Sequence, residues 1–359
     1  MPVLVKDQIL ARDAARQLTA ALRDVPFLRQ ADIKQESTRG DSRIDFILAL
    51  RSKSINRRLV CEVKPSGQPR IAREACLTLA DCARSDKRDY PVFIAPYIGP
   101  SAAEICNRYK VGYFDLAGNR RLAFDQVYIR SDGFPNPTAQ KRDLRSLYSP
   151  KGERILRALL TAGPRSWRMQ ELAREADVSL GQVANVKKLL SDREWIDADA
   201  EGLRLRSLDA AVLPLLTEWA ETYRIERSSS REYYSLKPTP QTEVELAEAT
   251  RRLQSRFAFS GFSGAARLAS AVRYQRITAY YLGDPRGLAD QLSLKPVSSG
   301  SNLTILEPYD AGVFYGARDF DGVPVVSPVQ LYLDLAQTEA RGEEAATAIL
   351  DQVIRPQWQ

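Results

Sequence analysis

Glu62-Val63-Lys64 places an acid and a lysine two positions apart, and Asp45 stands 17 residues upstream of Glu62. Side chains of an extended strand alternate between faces, so Glu62 and Lys64 fall on the same side. With Asp45 on a neighbouring antiparallel strand, the two carboxylates can converge on one divalent ion while Lys64 orients or polarises an attacking water. That is phosphodiesterase chemistry, because Mg2+ prefers carboxylate and water ligands and stabilises charge developing on phosphate oxygens. It requires no histidine, and the chain has none. The absence excludes Ser-His-Asp and Cys-His catalysis, His metal ligation and imidazole acid-base chemistry. A second acid-x-Lys triplet, Asp32-Ile33-Lys34, arises from the same composition. The context of Asp45, Glu62 and Lys64 therefore matters more than the triplet, and the bland alternative pairs the acids with Arg43 or Arg58.

A second constellation is built for base edges rather than bond breaking. On a helix starting near Leu180, Ser179, Gly181, Gln182 and Asn185 lie opposite Val183 and Val186. The amides of Gln182 and Asn185 can pair bidentately with adenine, and Lys187, Lys188, Arg165 and Arg168 can take phosphates. Ser260 and Ser263 make a weaker third set. A serine nucleophile without histidine would need a lysine base, and Lys295 is the only lysine after Lys237. A serine-capped helix start is the expectation there.

The elements that must hold these residues follow from periodicity. Apolar residues at helical spacing predict an opening helix over Gln8–Asp24, offering Asp7 or Asp13 as a third acid. β-rich runs at Arg43–Leu50 and Arg58–Val63 flank a polar stretch, Ser52–Arg57, as in a hairpin. A helix around Ile71–Ser85, a strand at Tyr90–Pro96, a helix at Ser101–Tyr109 and a strand at Val111–Leu116 follow, so this part reads as a mixed α/β sheet. Helices at Lys151–Thr161, Arg168–Ala176 and Leu180–Leu190, with a turn at Asp177-Val178-Ser179, form a helix-turn-helix. Strands from Trp195 and at Leu203–Arg206 add a wing, whose Glu194, Asp197, Asp199 and Glu201 would be repelled by phosphate. Pro- and Gly-containing polar stretches at Ser131–Pro150 and Arg227–Gln241 read as linkers. They divide an α+β multidomain chain into residues 1–145, 146–227 and 228–359. In the last part a helix is expected over Gln241–Arg256 and another over Ala265–Val272, with strands near Thr278–Leu282 and Asn302–Leu306.

Charge separates these parts. Lys and Arg outnumber Asp and Glu by 26 to 17 in residues 1–145, balance at 13 each in 146–227, and fall behind at 13 to 15 in 228–359. The basic excess of the first part is the footprint of a nucleic-acid partner, double-stranded DNA, although a solvated basic face has the same composition. Cys61, Cys76, Cys82 and Cys106 match no zinc or redox spacing and are expected to be reduced core thiols. Apolar stretches are too short to span a membrane and the first residues lack a secretory pattern, so a cytoplasmic protein without membrane contact is expected.

Residues Gln8–Leu116 resemble the restriction-endonuclease-like PD-(D/E)xK family, with Ile44-Asp45 in the PD position and Glu62-Val63-Lys64 as the ExK. The resemblance implies a catalytic set of Asp45, Glu62 and Lys64, with Asp45 and Glu62 holding Mg2+ if the site is active. The helix-turn-helix is similar to bacterial winged-helix regulators. Phe259-Ser260-Gly261-Phe262-Ser263, Leu306-Glu307-Pro308-Tyr309-Asp310, Val325 to Leu335 and Arg341 to Ala346 resemble AbiEi-type antitoxins of type IV toxin-antitoxin systems. With the winged helix, that likeness spans Lys151–Ile354. It implies a transcriptional regulator whose C-terminal unit counters a nucleotidyltransferase-like toxin, with a homodimer left open. Two functions are thus expected: a DNA-binding regulator whose basic nuclease-like domain adds affinity, or a Mg2+-dependent DNA endonuclease targeted by the winged helix.

Overall fold

A helix that shows Ala14, Leu18, Ala21 and Leu22 on one stripe must bury that stripe against a second layer. In the computed structural model it does so as α1 (Val3–Arg23), packed on one face of a seven-stranded sheet. The structure describes residues 3–28, 32–36, 44–51, 55–84, 86–136, 147–198, 202–269, 274–339 and 341–359. The chain divides into two compact units, Met1–Lys141 with Asp192–Glu194, and Arg142–Ser191 with Trp195–Gln359.

In the first unit the strands lie in chain order: β1 (Asp32–Glu36), β2 (Phe46–Arg51), β3 (Asn56–Val63), β4 (Asp89–Ala95), β5 (Gly112–Asp115), β6 (Arg120–Phe124) and β7 (Val127–Ser131). The first three are antiparallel, β3, β4 and β5 are parallel, and β6 and β7 return as a hairpin. Parallel neighbours need crossovers, supplied here by α2 (Pro69–Ala83) and α3 (Pro100–Arg108). Both cover the face opposite α1, packing Ala72, Cys76, Leu79 and Ile105 on Val60, Phe93 and Tyr113. A central strand buried on both faces reads as the unbroken run Pro91–Ala95. The β6–β7 hairpin was not anticipated, since its arginines mask the alternating Leu122 and Phe124 that face the core. Cys61, Cys76 and Cys106 are buried free thiols, Cys82 is partly exposed, and Cys106 lies 3.7 Å from Cys76.

The second unit begins with α4 (Pro150–Thr161), α5 (Met169–Glu175) and α6 (Leu180–Asp192), followed by β8 (Ile196–Ala198) and β9 (Leu203–Leu205). Trp167 bridges to Leu203, so a third strand segment joins the wing. A side chain at Gly202 would meet the Trp167 carbonyl oxygen at 2.4 Å, and its φ of +141° suits glycine alone. Asp177 takes the left-handed conformation, φ +50°, in the turn between α5 and α6. The wing tip, Asp199 to Glu201, lies outside the described residues, as does the middle of the expected first linker, 137–146.

After α7 (Leu213–Thr222) comes a second seven-stranded sheet. Its strands are β10 (Ser229–Tyr234), β11 (Arg256–Ser260), β12 (Ile277–Leu282), β13 (Lys295–Pro296), β14 (Leu303–Glu307), β15 (Arg318–Phe320) and β16 (Val323–Val325), in the order β13-β10-β14-β12-β11-β16-β15. The helices are α8 (Thr239–Arg252), α9 (Gly261–Ala265), α10 (Pro285–Gln291), α11 (Pro328–Ala336) and α12 (Gly342–Ile349). The expected second linker, Arg227–Gln241, contains a strand of this sheet. Ser229–Tyr234 looks polar because the strand is half exposed, yet it pairs with both β14 and β13. The helix expected to begin at Ala265 instead ends there, because Gly261, with φ +54°, starts it directly after β11. One core runs from Leu147 in front of α4 to Trp358, so the helix-turn-helix and the sheet share their interior. Among the described residues no helix is long and apolar enough to cross a membrane.

Candidate nucleic-acid interface

α6 owes its orientation to Val183, Val186, Leu189 and Leu190, all buried in the shared core. Each such side chain contributes about 1.5–3 kcal/mol on burial, so this face cannot turn outward. Ser179 starts the helix by accepting from the Gln182 amide through Oγ at 3.2 Å. The opposite face then presents Ser179, Gly181, Asn185 and Lys188 exposed, with Gln182 and Lys187 half-buried. Arg165 and Arg168 are exposed at the entry to α5. Arg165 stacks 3.9 Å over the Trp167 ring and pairs with Glu171, which fixes its guanidinium in place. In the wing, Asp197 is not a bare repulsive charge, because Arg206 binds it at 2.8 Å.

In the first unit the acids expected to do chemistry sit at the carboxyl end of β3. Asp45 precedes β2, its amide donating to the Cys61 carbonyl at 3.0 Å and its carboxylate accepting from the Val63 amide at 2.6 Å. Asp45 is therefore held by the two neighbours of Glu62. Its negative charge, after burial itself, helps push the Cys61 thiol well up. Lys64 Nζ lies 2.7 Å from Glu62 Oε1, and Glu62 is only 3% exposed. Of the two arginines offered as alternative partners, Arg58 forks onto Asp89 at 2.6 and 2.8 Å, and Arg43 lies outside the described residues. The third acid is not supplied by Asp13, which binds Arg16 and Gln17 on its own helix. The side chain of Asp7 lies outside the described residues. Among the described residues no group of three or more Asp, Glu or Cys side chains is placed to hold a metal ion. Two neighbouring carboxylates nonetheless suit Mg2+, which needs one or two and completes its shell with water and phosphate oxygens. Arg57, Arg84, Arg88 and Arg130 of this unit also carry carboxylate partners.

A polar assembly that the sequence does not suggest lies buried in the second unit. Asp334 in α11 accepts from Ser260 at 2.5 Å, Tyr223 at 2.7 Å, Tyr280 at 2.9 Å and the Gln330 amide at 2.8 Å. The Gln330 oxygen accepts from Arg157 of α4 at 2.7 and 2.9 Å. Arg157 also donates to Tyr309 at 3.1 Å, and Tyr309 donates to Glu153, which Arg227 holds at 2.7 Å. Arg157, Glu153, Gln330 and Asp334 are fully buried. Burial holds the Asp334 carboxyl above its ordinary value against the pull of its four donors. Burial, then the Asp334 charge, drives Tyr223 and Tyr280 well up. Burial pulls Arg157 down, but Tyr309 and Glu153 more than restore it, so it stays cationic. Ser260 precedes α9 as expected, but its hydroxyl goes to Asp334 and caps no helix amide. The sequence signal was an aspartate and a glutamine inside the otherwise apolar Pro328–Ala336.

Residues 211–355 match a protein-family model described as transcriptional regulator, AbiEi antitoxin, type IV TA system. Ser260, Tyr309, Gln330 and Asp334 all fall within that range, whereas the helix-turn-helix precedes it. No curated protein matches the chain. Among solved structures, a repair endonuclease from Pyrococcus abyssi aligns over 28% of this chain and 46% of its own length, at 10% identity and a TM-score of 0.22. The chain thus spans less than half of that endonuclease.

Proposed function

We propose that the chain is a DNA-binding transcriptional regulator of the AbiEi antitoxin kind, in which α6 reads double-stranded DNA and the basic first unit adds affinity. The observation that carries the reading is the outer face of α6, where Ser179, Gly181 and Asn185 stand exposed at the end that enters a major groove in helix-turn-helix proteins. The family match of residues 211–355 supports the regulatory role and a toxin as partner, and the resemblance to AbiEi-type antitoxins makes that toxin nucleotidyltransferase-like. Selection of a preferred duplex from a random library by the full-length protein tests the reading. Gln182→Ala and Asn185→Ala should each lose about 1–3 kcal/mol of binding and relax the preference, while Lys188→Ala should weaken all sequences alike and lower the salt slope by about 0.9. Unchanged binding in all three would remove α6 as the reader.

A second reading is a Mg2+-dependent DNA endonuclease, favoured by the placement of Asp45 and Lys64 around Glu62. Plasmid should then be cut in Mg2+ or Mn2+, and Glu62→Gln should abolish cutting. The intact protein should also gain thermal stability from millimolar Mg2+, a gain absent in Asp45→Asn. Intact plasmid and an unchanged melting temperature would leave the first unit as a binding domain only.

A further inference from the structure

Two arginines one turn apart on α4 reach out of the helix-turn-helix into the sheet that follows it. Arg154 donates through Nη1 to the Asp177 carboxylate at 2.7 Å and to its carbonyl at 3.2 Å. Its Nε and Nη2 grip Asp310 at 2.8 and 3.1 Å. One planar fork thereby ties the left-handed turn before α6 to the segment after β14. Arg157, one turn on, meets Gln330 and Tyr309 in the interior.

The amide of Gln330 is chemically particular. Its oxygen faces a guanidinium that can only donate, and its nitrogen faces the carboxylate of Asp334 and the Tyr223 hydroxyl at 2.9 Å. No other uncharged side chain of this length accepts from a cation and donates to an anion at once. The two ends cannot be exchanged, so the amide has one orientation and α4 one register against α11. Stability alone does not call for such an arrangement, because well-packed apolar residues often replace buried ion pairs without loss. What buried polar groups supply in the best-attested cases is a unique register.

We propose that Gln330 is a positioning residue for DNA reading: through Arg157, and in concert with the Arg154 fork on Asp177, it fixes the angle at which α6 is presented. This rests on the DNA-binding reading above. Packing already joins α4, α5 and α6 into one core with α11, so a shift of α4 is carried to α6 without a hinge between them.

The test uses full-length protein and a duplex selected by the wild type. Gln330→Glu keeps the acceptor for Arg157 but turns a second carboxylate on Asp334. Affinity for the selected duplex should fall roughly 2- to 30-fold, the range over which such coupling residues act, with the salt slope unchanged. Amide exchange in α6 should quicken. The double variant Gln330→Glu/Asp334→Asn restores one carboxylate facing one amide with the roles exchanged, but the Tyr223 and Tyr280 hydroxyls lose the oxygen that accepted them, so it should recover both readouts in part. Should Gln330→Glu fail to fold, Asp177→Gly decides the matter from the surface. It keeps the left-handed turn, deletes the carboxylate held by Arg154, and should produce the same exchange change, while Asp177→Asn should remain near wild type. Wild-type exchange in Gln330→Glu and Asp177→Gly, or a double variant no better than the single, overturns the proposal. If the wild type selects no duplex, the DNA reading fails, and the exchange data still decide whether Gln330 positions α6.

Discussion

Asp45, Glu62 and Lys64 lie within one hairpin of the first unit, at the end of a strand where solvent reaches Asp45 and Lys64. Glu153, Arg157, Tyr309, Gln330 and Asp334 lie far apart in the chain and meet in the interior of the second. Both are small sets of charges on a sheet, yet they obey opposite rules. At the strand end water reaches Lys64 and Asp45, so hydration can replace their partners, although Glu62 between them is buried. In the interior nothing replaces it, so each member depends on all the others. Lys64 and Asp45 can thus exchange partners with water, whereas the charges of the interior set are committed to one geometry.

The contrast should be largest in stability. Arg157→Ala leaves the buried Gln330 oxygen without its donor and removes the cation 3.6 Å from Glu153, and should cost about 3–5 kcal/mol in denaturant unfolding. Lys64→Ala takes a half-exposed partner from the buried Glu62, and because water can enter beside Lys64 it should cost less, about 1–3 kcal/mol. Equal losses would erase the distinction between the two regions. A smaller effect separates them by pH. Because the folded carboxyl of Asp334 lies above its ordinary value of 3.8, its ionisation opposes folding. The stability of the wild type relative to Asp334→Asn should therefore decline as pH rises from 3.8 through the raised value, and then level off. A relative stability that increases over that window would mean that the four donors outweigh burial. The smallest effect is expected at Arg206→Ala, which frees Asp197 in the wing. Stability should change by less than about 1 kcal/mol, and DNA binding should weaken through restored repulsion, as measured by titration at low salt.

What was legible in the sequence follows the same division. Helices with one buried stripe, such as α1, α4 and α6, lie within a few residues of their expected bounds because the stripe itself is the signal. The placement of Asp45 beside Glu62 was readable from strand alternation across a hairpin. β10 reads as a linker in the sequence because a half-exposed strand of Ser, Arg and Glu carries no apolar run, and its pairing depends on β14, some seventy residues later. The Asp334 assembly was invisible for a similar reason. Its partners come from α4, α7, β11, β12 and α11, and no local period relates them. The quoted family segments contained Ser260, Tyr309, Gln330 and Asp334, but as separate words; only the fold makes them one sentence.

Arg157 and Gln330 are 173 positions apart. A ribosome adding about 5–20 residues per second needs on the order of ten to thirty-five seconds to pass from one to the other. During that interval α4 exists on the nascent chain with a guanidinium meant for the interior and no amide to receive it. The first unit can complete its sheet meanwhile, but α4, α5 and α6 cannot settle until α11 has emerged. A prematurely terminated chain would therefore carry the first unit intact and a helix-turn-helix without its seat. The order of synthesis thus makes the seating of α6 wait for α11.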